Sequence, residues 1–185
     1  MKTQYLTYLA LFSFIICFGI FPSCKSLNHA MTYNYKNLPK DSVINVLIGD
    51  SIFNIINNPT SIRAYKMCSG KLGKNKRIGN YSIDYYIGRL DMTYASPLIF
   101  YINDITNYDE SNDVIKTPFT PTIAFEFKRR SKSVYLLISF NGNQLMFLDK
   151  NNEIIRKQFL NSRFLLRLSH GLLPNNKYIE YMLNQ

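Results

Sequence analysis

Between Ile123 and Asp149 the chain reads IAFEFKRRSKSVYLLISFNGNQLMFLD, three runs of alternating apolar and polar residues divided by two polar breaks. Successive side chains of a strand point to opposite faces, so each run can bury one face. Asn141-Gly142 between two such runs predicts a hairpin closed by a type I′ turn, with positive φ at both residues. That turn sets Ile138 opposite Leu145, Leu137 opposite Met146 and Leu136 opposite Phe147. The four-residue break Arg129-Arg130-Ser131-Lys132 makes a second hairpin, with Phe127 opposite Val134, Phe125 opposite Leu136 and Ile123 opposite Ile138. Different turns fix the two registers, yet both place Ile123, Phe125, Phe127, Val134, Leu136, Ile138, Leu145 and Phe147 on one face. A one-residue slip in either hairpin would destroy that agreement. The other face carries Ala124, Glu126, Tyr135, Leu137, Met146 and Leu148; it is only half polar, which predicts partial cover. Glu126 is the only acid before Asp149 and no His is present, so the meander reads as scaffold.

The flanks supply the rest of the fold. Asp50 or Ser51 caps a short helix that Asn58-Pro59 ends after Asn57. Ser61–Met67 alternates as a strand, and Asn80–Gly88 returns beside it. Ser96-Pro97 has the form of a helix start for the run that follows. After the meander, Asn151-Asn152 turns the chain into a helix from Ile154 to His170, with Gly171 in the left-handed position that ends it. Leu160, Phe164, Leu165, Leu168 and Leu172 form its apolar stripe, and this helix is expected to cover the second face of the meander. A short helical run ends at Gln185. The expected class is α+β: an antiparallel sheet of about five strands with a C-terminal three-stranded meander, helices packed on at least one face, in one globular domain over residues 43–185.

The N-terminus bears on location. Lys2 precedes an apolar run from Leu6 to Phe21, followed by Pro22-Ser23-Cys24. That order predicts a signal peptide over residues 1–23. A Cys directly after a small residue at the end of the apolar run resembles the lipobox of bacterial lipoproteins, in particular small lipoproteins of the Bacteroidetes type. The resemblance implies acylation of Cys24, a membrane anchor and a place in the cell envelope, at the outer membrane; an uncleaved anchor and plain secretion are the alternatives. Residues 24–42 are polar, lack periodicity and read as a tether. Removing 23 of 185 residues leaves 162, which suits one domain. Cys17 leaves with the signal peptide and Cys24 carries lipid, so Cys68 stands alone and reads as a small, partly buried residue.

The formal charge is +10, or +9 once Lys2 is removed. Export takes nucleic acid out of consideration as a partner. Other envelope proteins, anionic envelope polymers and anionic head groups remain. Candidate contacts are Lys71, Lys74, Lys76 and Arg77 in the glycine-rich stretch 69–79, with Arg129, Arg130 and Lys132 at the meander turn. The glycines fit neither phosphate-cradling pattern. The acidic stretch Asp109–Asp113 lacks calcium-loop spacing, and no metal or cofactor set is legible.

One chemical motif stands out. Val46-Leu47-Ile48-Gly49-Asp50-Ser51 resembles the first block of GDS-type (SGNH) serine esterases, where a strand ends in Gly-Asp-Ser. Asn103-Asp104 resembles a later block. The resemblance implies Ser51 as nucleophile and Asn103 as an oxyanion donor. The family's closing Asp-x-x-His is absent; His170 follows Arg167 where that pattern has Asp. The function expected is therefore a lipid-anchored, non-enzymatic binding or assembly module of the envelope, with the Ser51 esterase as the alternative.

Overall fold

A computed structural model describes residues 48–68, 76–109, 117–149 and 152–185. The expected signal peptide (1–23), Cys24, the expected tether (24–42), Val46, Leu47, Lys71, Lys74 and most of the acidic stretch lie outside the described residues. The order is α1 (Asp50–Asn57), β1 (Ser61–Met67), β2 (Arg77–Ile78), β3 (Tyr81–Arg89), α2 (Met92–Asn103), a 3₁₀ turn (Ile105–Asn107), β4 (Ile123–Arg129), β5 (Lys132–Ser139), β6 (Gln144–Asp149), β7 (Asn152–Gln158), α3 (Ser162–Leu172) and α4 (Lys177–Leu183). All strand pairs are antiparallel, in one sheet ordered β2-β3-β1-β4-β5-β6-β7. It is a mixed helix-and-sheet fold with seven strands among the described residues rather than about five.

The meander register agrees with the sequence at every expected pair. The turns differ in detail. Ser139 and Gln144 close the second hairpin, and positive φ falls on Gly142 (83°) and Asn143 (49°), not on Asn141. The pairing sum is unchanged, so the register survives although the turn is not type I′. Phe140 is drawn into the core, edge-on to Phe159 at 6.3 Å, and takes the loop with it. In the first hairpin Arg129 pairs with Lys132, which leaves Arg130-Ser131 as a two-residue turn with Arg130 left-handed at φ 54°.

Three local expectations are overturned. The second helix begins at Met92, because the Asp91 carboxylate accepts from the N–H groups of Thr93 (2.9 Å) and Tyr94 (3.3 Å), and Pro97 lies inside it. The stretch expected to open the long helix is instead β7: Ile155 pairs with Phe147 and Arg156 with Met146 on the open edge of β6. Leu160 is therefore outside any helix and 63% exposed. Gly171 is helical, and glycine is needed there for space: a Cβ would meet the Tyr94 ring at 2.9 Å. Ala at 171 gains about 1 kcal/mol of helix propensity that displacing the ring offsets. Gly171→Ala is thus expected to be stabilising by about 1 kcal/mol only in a Tyr94→Leu background. Thermal melts of the four variants check this, and additivity would show that the ring does not fill that space.

The core follows from the sheet's two faces. Ile62, Ala64, Phe125, Phe127, Leu136 and Phe147 share a face with Ile56, Leu98, Ile102 and Leu165 of the helices. The cluster on the opposite face, around Met67, Ala124, Leu137 and Met146, draws on no helix among the described residues. The leucine-rich helix thus packs with the first face, and the expectation that it would cover the second is corrected. Register shifts interrupt β1–β3 twice and β6–β7 once, and such bulges add bend and twist. The sheet is curled accordingly. Tyr81 of β3 and Arg156 of β7, five strand spacings or about 24 Å apart in a flat sheet, both reach Phe119, at 5.4 and 5.3 Å.

Candidate functional site

The second face, which no helix covers among the described residues, is built in cross-strand rows. One runs Arg89, Arg63, Glu126, Tyr135, Leu148, Glu153 across β3, β1, β4, β5, β6 and β7. The next runs Tyr86, Tyr65, Ala124, Leu137, Met146, Arg156. The first row sets two arginines side by side, where directly opposed like charges are unfavourable by roughly 0.2–1 kcal/mol. Its third member is a carboxylate 7% exposed in the middle of a central strand.

Glu126 holds this face together. Its Oε2 accepts from the Tyr65 hydroxyl at 2.8 Å, and its Oε1 accepts from the Ser133 hydroxyl at 2.8 Å. Arg63 Nη1 stands 3.6 Å from Oε2, and its side chain is 43% exposed. The Arg63 pKa is raised, first by a hydrogen bond with Tyr65 and then by the Glu126 charge. Burial, then hydrogen bonding to Glu126, pushes the Tyr65 hydroxyl up to about 12. Both carboxylate oxygens are taken and no His belongs to the set, so Glu126 positions its neighbours and is not free to act as a base.

Beside this network lies an open trough of about 540 Å³ at the β3 edge, lined by Arg63, Tyr65, Lys76, Asp84, Tyr85 and Tyr86 among others. β2 pairs only with Tyr81 and Ser82, so the outer edge of β3 beyond them has no strand partner among the described residues. Tyr85 and Tyr86 are about half exposed, and the Tyr86 ring leans on Tyr65 at 5.4 Å and 48°. A hollow of about 470 Å³ lies beside Phe100 and Phe164, and one of about 1030 Å³ near Thr122 and Lys177 shares Asp84 with the trough and adds Lys66.

The residues singled out from sequence are scattered. Lys76 lines the trough and Arg77 is in β2. Arg129 closes the first hairpin and donates to the Asn58 carbonyl at 2.9 Å, while Arg130 and Lys132 are exposed. Arg63, Arg89 and Glu126 were not singled out. The signal for them was an acid between Phe125 and Phe127 in a strand expected to be covered on both sides.

The esterase set does not assemble. Ile48 is helical rather than extended, Gly49 precedes α1 with φ 78°, and Ser51 is exposed in the first turn. Asn103 is buried and spends both amide protons, on Asn57 Oδ1 (2.6 Å) and the Ile99 carbonyl (2.8 Å), which leaves none for an oxyanion. No hydrogen bond joins Ser51 to His170 among the described residues. Within the same limits, no three His, Cys, Asp or Glu side chains gather as metal ligands, and no helix is long and apolar enough to cross a membrane. Cys68 is a free, half-buried thiol. No family model, no curated protein and no solved structure matches the chain.

Proposed function

We propose that the chain is a lipid-anchored cell-envelope protein, held to its membrane through acylated Cys24, that acts as a non-enzymatic binding or assembly module. Its contact surface is the second face of the sheet. The observation that supports this most is the Arg63–Tyr65–Glu126–Ser133 network, fixed by hydrogen bonds and opening onto a trough with two half-exposed tyrosines. Aromatic and arginine side chains held by a second set of contacts are what binding surfaces concentrate. The anchor rests on the sequence around Cys24 alone.

Two measurements test the halves separately. Cys24→Ala is expected to abolish metabolic fatty-acid labelling and to release the protein from membranes; unchanged labelling overturns the anchor. Crosslinking in the native envelope from a photoreactive residue at position 86 is expected to capture a partner that a residue at position 163, exposed on α3, does not. A fluorophosphonate probe should leave the protein unlabelled. Labelling that disappears in Ser51→Ala would replace this reading with the esterase.

A further inference from the structure

We infer that the β3 trough binds an acidic saccharide, with Arg63 of the trough and Arg89, its pair across β1 and β3 outside the trough lining, taking its carboxylate groups and Tyr85 and Tyr86 its sugar rings. This rests on the second face being the contact surface, and it goes further by naming the ligand's chemistry.

Charge comes first. Arg63 and Arg89 lie directly opposite each other in the backbone register, which brings two cationic side chains to neighbouring strands. Glu126 faces only Arg63, and Arg89 spends one amine on the Thr60 carbonyl at 3.0 Å with no carboxylate in ion-pair range among the described residues. Both guanidiniums keep N–H groups for a carboxylate, which they match in planar fork geometry. Exposed Lys76 adds to the positive side of the trough.

Asp84 then separates saccharide from nucleic acid. It lies in the same trough and is exposed. A carboxylate there accepts from sugar hydroxyls, whereas a DNA backbone has no donors to offer it. The rings point the same way. Tyr65 and Tyr86 touch each other at 5.4 Å, so no base fits between them, and each offers only an outer face. That suits the C–H face of a pyranose set against the electron-rich face of a phenol ring. Arg63 and Tyr65 are two residues apart on β1, about 7 Å by strand rise, so one unit can put its acid on the arginine row and its ring on the tyrosine row. The trough's volume of about 540 Å³ falls within the range of small-ligand sites. The occupant inferred is a free glycan chain, and the vesicle arm of the test separates it from lipid head groups.

Calorimetric titration of the full-length protein in detergent with tri-galacturonate, maltotriose and a dT oligonucleotide tests this, alongside co-sedimentation with anionic phosphatidylglycerol vesicles. The expectation is that tri-galacturonate binds and maltotriose binds at least about tenfold more weakly. Tyr86→Ala, Tyr85→Ala and Arg63→Gln should each weaken tri-galacturonate by about fivefold or more at unchanged melting temperature. Tyr85 and Tyr86 are about half exposed, so both alanine variants are expected to fold. The inference is overturned if tri-galacturonate does not bind, if maltotriose binds as well, or if neither tyrosine variant matters. Preferential binding of the oligonucleotide or the vesicles, lost in the same variants, also overturns it. If position 86 still captures an envelope partner, such a result removes the saccharide and leaves the binding module standing. If that capture fails too, both fall.

Discussion

Glu126→Ala is expected to destabilise the protein by about 3–5 kcal/mol, the loss of two hydrogen bonds to one buried side chain. The substitution leaves the hydroxyls of Tyr65 and Ser133 without their acceptor, and hydrogen bonds to a charged group contribute roughly 1.5–3 kcal/mol each. Arg63 adds little, because its guanidinium sits 3.6 Å away and 43% exposed, where water screens it. Against a typical total of about 5–15 kcal/mol, the loss is a large fraction. Glu126→Gln keeps one acceptor and should cost about half as much. Urea unfolding followed by circular dichroism measures both, and a midpoint unmoved in Glu126→Ala would show that the network does not stabilise the sheet.

The same network has a pH signature. The Tyr65 pKa is about 12 in the folded state, raised by burial and then by Glu126, against about 10 for an unfolded tyrosine. A raised pKa means that the neutral form is favoured by folding. The associated stability is fully present below about pH 10 and is lost as pH rises toward 12. Burial raises Tyr101 and Tyr108 too, which adds to the same trend. Tyrosinate absorbance against pH should therefore show a late-ionising group that moves to lower pH in Glu126→Gln. A titration identical in the two proteins would contradict the contact.

Asn57→Ala is expected to cost about 2–3 kcal/mol, and Asn103→Ala a similar amount. The two amides are buried and exchange reciprocal hydrogen bonds, 2.6 Å from Asn103 Nδ2 to Asn57 Oδ1 and 3.3 Å in return. Each also donates to its own helix, to the carbonyls of Phe53 and Ile99. Losing either residue strands the other's polar atoms in the core, while losing both removes the unmet demand. The double variant should thus be less damaging than the sum, with a coupling of about 1–2 kcal/mol. Additive losses in a four-way comparison would mean that the amides are independent. The outcome also bears on chemistry, since an Asn103 tied to Asn57 joins α1 to α2 and serves structure.

Legibility in the sequence tracked the distance over which each decision was made. Turn chemistry and two-residue alternation placed β4, β5 and β6 in the correct register although the second turn itself was misassigned, because the closing pair depends on the parity of the loop and not on its dihedral angles. Asn57 ended α1 as expected, with Pro59 two residues on, and β1 has the expected limits. Ile154–Gln158 looked helical because two isoleucines followed by charged residues fit either period; the open edge of β6 decided the matter. Gly171 looked like a helix terminator and is instead a notch for Tyr94, a residue far away in the chain.

The candidate site was legible only as a puzzle, an acid inside an apolar strand. Its answer lay 61 residues away in Tyr65. By itself the sequence determined the meander, its register and the sidedness of its core, since these depend on neighbours a few positions apart. The tertiary structure alone decided which face the helices would cover, that a seventh strand would form, and that Arg89, Arg63 and Glu126 would stand in one row. Rows of a sheet join residues by backbone pairing between distant strands, and no local pattern encodes which distant strand will come alongside.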